Sequence, residues 1–141
     1  MGNNVNRSIS PEIKDFYGNL TDVTYNGKII HVISENKFVI IVNIPYSSSR
    51  KYVVKGYGYK SKNENYLKEN IAIVNKYINS TDNNLKFYFH GMDRNGTLLV
   101  SVENNKMRKG HDRQSKTLNE IMIENNNNEV ELNFSIFGTV I

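Results

Sequence analysis

Cysteine is absent from the 141 residues, which excludes a disulfide framework, a thiolate zinc site and a thiol nucleophile, and leaves the redox compartment open. Tryptophan is absent too, and there are two prolines and a single alanine, Ala72. Long apolar runs are missing. The longest, residues 38–42, is far below the ~18 residues that a membrane-spanning helix requires, and the polar N-terminus has no signal-peptide apolar region. These absences predict a soluble, non-secreted chain without a transmembrane segment, intracellular (cytoplasmic or nuclear) or carried in a virion.

What is present is asparagine and isoleucine, 23 and 15 residues, a bias toward AT-rich codons. That bias suits a large DNA virus, a protist or a low-GC bacterium equally well. The length suits one domain, in which roughly 68–70% of the unfolded surface is buried on folding. The net charge is +4, and it is localised. Between residues 104 and 117 lie Lys106, Arg108, Lys109, Arg113 and Lys116 against Asp112 alone, while the remainder balances at thirteen of each sign.

Residues 1–22 form a polar N-terminal segment. Gly2 after Met1 poses the question of myristoylation, but that pattern wants Ser or Thr where Asn6 stands; the alternative is a frayed terminus. From Val23 the periodicity is that of strands: Val23, Tyr25, Ile29, His31 and Ile33, with a bend at Asn26-Gly27. Residues 38–44 are a second strand, reached through the short connection Glu35-Asn36, and residues 52–57 a third, after a polar turn at 45–49. The period then changes. Tyr66, Leu67, Asn70, Ile71, Val74, Tyr77 and Ile78 follow helical steps and predict a helix over residues 63–79.

Residues 85–89 and 98–102 return to strand spacing, joined by the turn Asp93-Arg94-Asn95-Gly96. A shorter helix starts at Thr117, whose hydroxyl and Glu120 make a capping box, with Leu118, Ile121 and Met122 as its apolar face. Asn125 to Asn128 terminate it. Val130, Leu132, Phe134 and Ile136 then alternate as a last strand. The predicted class is α+β, mainly β: a five-stranded Greek-key barrel of the oligonucleotide-binding (OB) type with two helices and an extra C-terminal strand.

Four segments resemble the staphylococcal-nuclease-like family, over residues 23–125. Val32-Ile33-Ser34-Glu35-Asn36-Lys37 stands where the family has a Val-Ile-Asp-Gly-Asp-Thr type turn. Val53-Val54-Lys55-Gly56-Tyr57-Gly58-Tyr59-Lys60-Ser61 follows the spacing of its arginine-bearing strand and Gly-(Ile/Val)-Asp-Thr-Pro-Glu segment. Asp93-Arg94-Asn95-Gly96-Thr97 resembles its Asp-x-Tyr-Gly-Arg turn, and Leu118-Asn119-Glu120-Ile121-Met122-Ile123 its Val-Asn-Glu-x-Leu-Val helix start. The resemblance implies the same barrel and an ancestral phosphodiesterase. Family chemistry needs a carboxylate to activate water, acidic calcium ligands and two arginines for the charge developing on phosphorus oxygens.

Carried over by position, the arginines fall on Val53 and Thr97, the general base on Ser61, and the metal-binding acids on Ser34 or Asn36 and on Gly58. None of these is kept. The resemblance therefore implies a catalytically inactive domain with no metal and no cofactor, used for binding or for assembly, including assembly of a virus particle. The alternative is an active calcium-dependent nuclease using substituted residues: Lys51 and Lys55 beside Val53, carboxylates from Glu35, Glu64 or Glu69, and Arg94 near Thr97.

The basic insertion at residues 104–117 is the most function-like feature, attracting nucleic acid or an acidic protein surface, with a merely solvated loop as the alternative. Lys51 and Lys55 are further candidates for phosphate or partner binding. Tyr52, Tyr57, Tyr59 and Tyr66 interleave with Lys51, Lys55, Lys60 and Lys62; Tyr52 and Tyr57 are assigned to packing rather than stacking. His31 and His90 are assigned structural roles, and His111-Asp112 lacks a nucleophile. The arm at residues 126–141 either joins its own barrel or augments a sheet in a partner or second copy.

Overall fold

A computed structural model describes residues 23–105 and 116–131. Strands β1 (Thr24–Ser34), β2 (Lys37–Asn43) and β3 (Ser49–Gly56) are followed by the short β4 (Tyr59–Ser61). A 3-10 turn, Glu64–Tyr66, leads into helix α1 (Leu67–Ser80). Then come β5 (Leu85–Met92), β6 (Leu98–Asn104), helix α2 (Leu118–Glu124) and β7 (Asn128–Val130). Five strands close a barrel in the order β1, β2, β3, β6, β5, with β5 returning to β1. All contacts are antiparallel except β3 with β6. The fold is thus mainly β with two helices.

Alternation fills the interior. Phe38, Ile40 and Val42 of β2, Val54 of β3, Leu85, Phe87 and Phe89 of β5, and Val100 and Val102 of β6 are buried. Helix α1 closes the barrel with Val74 and Tyr77, and α2 adds Leu118 and Met122. The Asp93 turn forms as expected, with the Asp93 carboxylate accepting from the amides of Asn95 and Thr97, each at 2.9 Å. So does the capping box: Thr117 Oγ1 accepts from Glu120 N–H at 3.0 Å, and the Glu120 carboxylate accepts from Thr117 N–H at 2.8 Å.

Two features differ from expectation. The alternating C-terminal strand begins earlier, at Asn128, and the described part pairs with β4 in a separate two-stranded sheet rather than joining the barrel. Residues 132–141, which carry most of the expected strand, lie outside the described residues. Strand β4 was not expected at all. Its edge away from β7 is capped by side chains of the β1–β2 turn: Asn36 Nδ2 donates to Tyr59 O at 3.1 Å, and Ser61 N–H donates to Glu35 Oε2 at 3.2 Å. Two side chains stand in for a neighbouring strand. No helix among the described residues is long and apolar enough to cross a membrane.

Candidate functional site

The five positions that the family resemblance marks are only partly brought together. Asn36 and Gly58 line one small hollow with Lys55, Gly56, Tyr59, Asp93, Leu99 and Glu131. Thr97 adjoins it through the Asp93 carboxylate, whereas Ser61 does not line it and bonds the Glu35 carboxylate through its amide. Val53 does not line the hollow; it lies exposed on the outside of β3. The free space in the hollow is about 10 Å3. That is at the lower limit for a single water molecule.

Most polar side chains at and around the hollow are engaged. Asn36 is buried, and besides its bond to Tyr59 its Oδ1 accepts from Ser34 Oγ at 3.3 Å. Ser61 Oγ accepts from Asn70 Nδ2 at 2.7 Å, and Asn70 in turn bonds Asn128 of β7. Glu35 is buried, with its carboxylate on the Ser61 amide and its carbonyl accepting from Tyr59 Oη at 2.8 Å. Burial first, and then the Glu35 charge, push the Tyr59 phenol well above its ordinary range, so it stays a neutral donor. Lys55 Nζ lies 3.7 Å from the nearly buried Asp93 carboxylate.

Backbone conformation explains two glycines. Gly58 has φ +92°, in the region that side chains avoid, so an aspartate at this position would be strained. At Gly56, a Cβ would come within 2.5 Å of the Tyr59 hydroxyl and 2.6 Å of its ring. The hydroxyl end of the Tyr59 ring occupies the space that the missing side chain leaves.

The other proposed carboxylates do not reach the hollow. Glu64 and Glu69 do not line it and are exposed at the start of the helical segment. Among the described residues, no three His, Asp or Glu side chains converge in a way that could hold a metal ion.

Sequence reasoning missed a larger arrangement, the outer face of β1, β2 and β3. These strands contain Lys28, Lys37, Arg50, Lys51 and Lys55 and not one Asp or Glu. Lys28, Lys37 and Lys51 are exposed, and Lys55 is half-buried. Register aligns them: Lys28 beside Ile41 beside Lys51 in one row, and Lys37 directly opposite Lys55 in another. Between the rows lie His31, Val39 and Val53. Like charges directly opposite on a sheet are unfavourable, and at the Lys37–Lys55 pair the Asp93 carboxylate, 3.7 Å from Lys55, offsets part of that repulsion.

No known family model matches this chain, and neither does any curated protein.

The remaining candidates fall in different places. Lys106, Arg108, Lys109, Arg113 and His111-Asp112, like Gly2, lie outside the described residues. Lys116 is described, and its ammonium is paired with Glu124 at 2.6 Å; that bond and charge raise its pKa. His31 is exposed on the cationic face rather than packed. His90 is half-buried: Tyr57 stacks on it at 3.9 Å, Tyr88 meets it edge-on at 4.7 Å, and its Nε2 lies 2.7 Å from Ser101 Oγ. Tyr52 packs against the core, as assigned.

Proposed function

We propose that the chain is a catalytically inactive barrel of the staphylococcal-nuclease-like, OB-fold type that binds nucleic acid along the outer face of β1, β2 and β3. The strand order supports the fold part of this reading. Three antiparallel strands, a helix and two further strands, closed by one parallel contact between β3 and β6, fit a five-stranded Greek-key barrel. The Asp93 turn and the Thr117 capping box, at the places where the family resemblance puts them, support the descent.

The observation that carries the binding reading is the face itself: lysines in register on three neighbouring strands that have no acid of their own. Such a surface attracts phosphates by counterion release without needing sequence-specific contacts. The hollow at the marked positions supports the loss of hydrolysis. Its ~10 Å3 cannot admit a phosphodiester, and the Glu35 and Asp93 carboxylates are held by backbone amides.

The test is fluorescence anisotropy with a labelled oligonucleotide at several salt concentrations. Three lysines, Lys55 being held by Asp93, give a slope of log affinity against log salt of about −2 on single-stranded nucleic acid. Lys28→Gln, Lys37→Gln and Lys51→Gln together should bring the slope close to zero and weaken binding strongly at about 50 mM salt. An unchanged slope overturns the proposal, as does calcium-stimulated cleavage of the oligonucleotide by the purified chain.

A further inference from the structure

At the barrel end opposite the Asp93 turn, an open cleft of about 780 Å3 is lined by Lys28, Asn43, Asp82, Asn83, Asn84 and Asn105 among others. That volume lies within the range of small-ligand sites. The lining is amide-rich and its charges cancel, one lysine against one aspartate. It suits a neutral group with several hydrogen-bonding atoms better than a bare phosphate.

The amides are held in place. Asn83, at φ +55°, donates through Nδ2 to Ile29 O and accepts through Oδ1 from Ile29 N–H, both at 2.9 Å. Asn105 Nδ2 donates to Asn84 Oδ1 at 3.0 Å, and Asn105 N–H donates to Asn84 O at 2.9 Å. Asn84 Nδ2 and Asn105 Oδ1 take no part in these bonds, so amide donors stand beside an amide acceptor. A neighbouring donor and acceptor is the pattern that an amide uses on a base edge.

The turn between two lining residues carries an aromatic. Asn43 and Ser49, bonded to each other at 2.9 Å, flank the β2–β3 turn, and at its tip Tyr46 is wholly exposed with φ +63°. A bulky residue in that backbone region is costly, and burial does not offset the cost here. The cleft is also continuous with the lysine face, because Lys28 and Ile41 belong to both and Ile41 is the neighbour of Lys51.

We infer that this cleft takes an unstacked base of single-stranded nucleic acid, with the Asn84–Asn105 pair on the base edge, Tyr46 as a stacking surface, and Lys28 and Lys51 on the adjoining phosphates. The inference rests on the nucleic-acid reading and adds the preference for single strands and for bases. A duplex keeps its bases stacked and offers the cleft nothing.

The experiment compares single-stranded oligo-dA, oligo-dC and oligo-dT of about 12 nucleotides, an abasic strand of equal length and a duplex. Binding is read by anisotropy at about 50 mM salt for the full chain and two variants. One variant is Asn84→Ala with Asn105→Ala. The other is Tyr46→Gly, which relieves the backbone at position 46 and should raise thermal stability. We expect at least one base-bearing strand to bind about tenfold more tightly than the abasic strand and the duplex. Each variant should erase most of that difference and leave abasic binding unchanged. Equal binding of abasic and base-bearing strands, a preference for duplex, or variants that keep the difference would overturn the cleft inference while the lysine face stands. Failure of all the probes to bind would overturn both.

Discussion

Replacing Asn119 with alanine should destabilise the protein by about 3 kcal/mol, and the number follows from where its side chain sits. Asn119 is the second residue of α2 and is buried. Its Oδ1 accepts from Val102 N–H at 2.9 Å, while Nδ2 donates to Tyr57 O at 2.9 Å and to Val100 O at 3.1 Å. One amide thus ties α2 to β6 and to the chain leaving β3. Without it, the Val102 N–H loses a buried partner at about 1–3 kcal/mol, and the Tyr57 carbonyl loses a bond worth about 1 kcal/mol. The Val100 carbonyl still accepts from Tyr57 N–H at 2.8 Å, so its loss adds little. With a urea m-value of about 1.5 kcal/mol/M, the unfolding midpoint should fall by about 2 M, read by far-UV circular dichroism. Asn119→Asp is the companion variant. It retains an acceptor for Val102 but turns a carboxylate toward two carbonyls, so it should be at least as unstable at pH 7 and should recover as acidification protonates it. A loss below about 1 kcal/mol for alanine, or wild-type stability for aspartate at pH 7, would refute the reasoning.

Further expectations concern charge, packing and pH. Asp93→Asn retains an acceptor for the turn amides but releases Lys55, so oligonucleotide affinity should rise about three- to tenfold at low salt with little change in stability. Gly56→Ala should cost about 1–3 kcal/mol in urea unfolding, since the added methyl meets a fully buried tyrosine ring. Thr117→Ala removes the cap of α2 and should cost about 1 kcal/mol by the same measurement. Burial raises the pKa of Tyr59 and of Tyr77 above 10.0, with nearby glutamates adding to it. The unfolded chain therefore releases these protons first, and stability should be level up to about pH 10 and then fall, at up to about 2.7 kcal/mol per pH unit for the two together. A flat alkaline limb in a pH series of urea titrations would contradict the burial of both phenols.

The sequence by itself determined most of the local elements, β4 and its pairing with β7 excepted, because these are specified by neighbours along the chain. Alternation placed β2, β5 and β6, the helical stripe placed α1 to within one residue at its C-terminal end and four at its N-terminal end, where a 3-10 turn precedes it, and the Asp93 turn and the Thr117 box were legible from the spacing of the residues that bond in them. The reason for Gly56 was not legible, since Tyr59 must fold back before a missing side chain matters.

Only the tertiary structure decided which strands are neighbours, and the site follows from that choice. Lys28, Lys37, Lys51 and Lys55 are scattered in sequence and form a face because register sets them side by side. Asn119 and Asn128 look like solvated helix and loop residues in a chain full of asparagine, yet they are buried. An amide has the same local signature whether it bonds water or a distant carbonyl, so its role depends on the partner that folding brings to it.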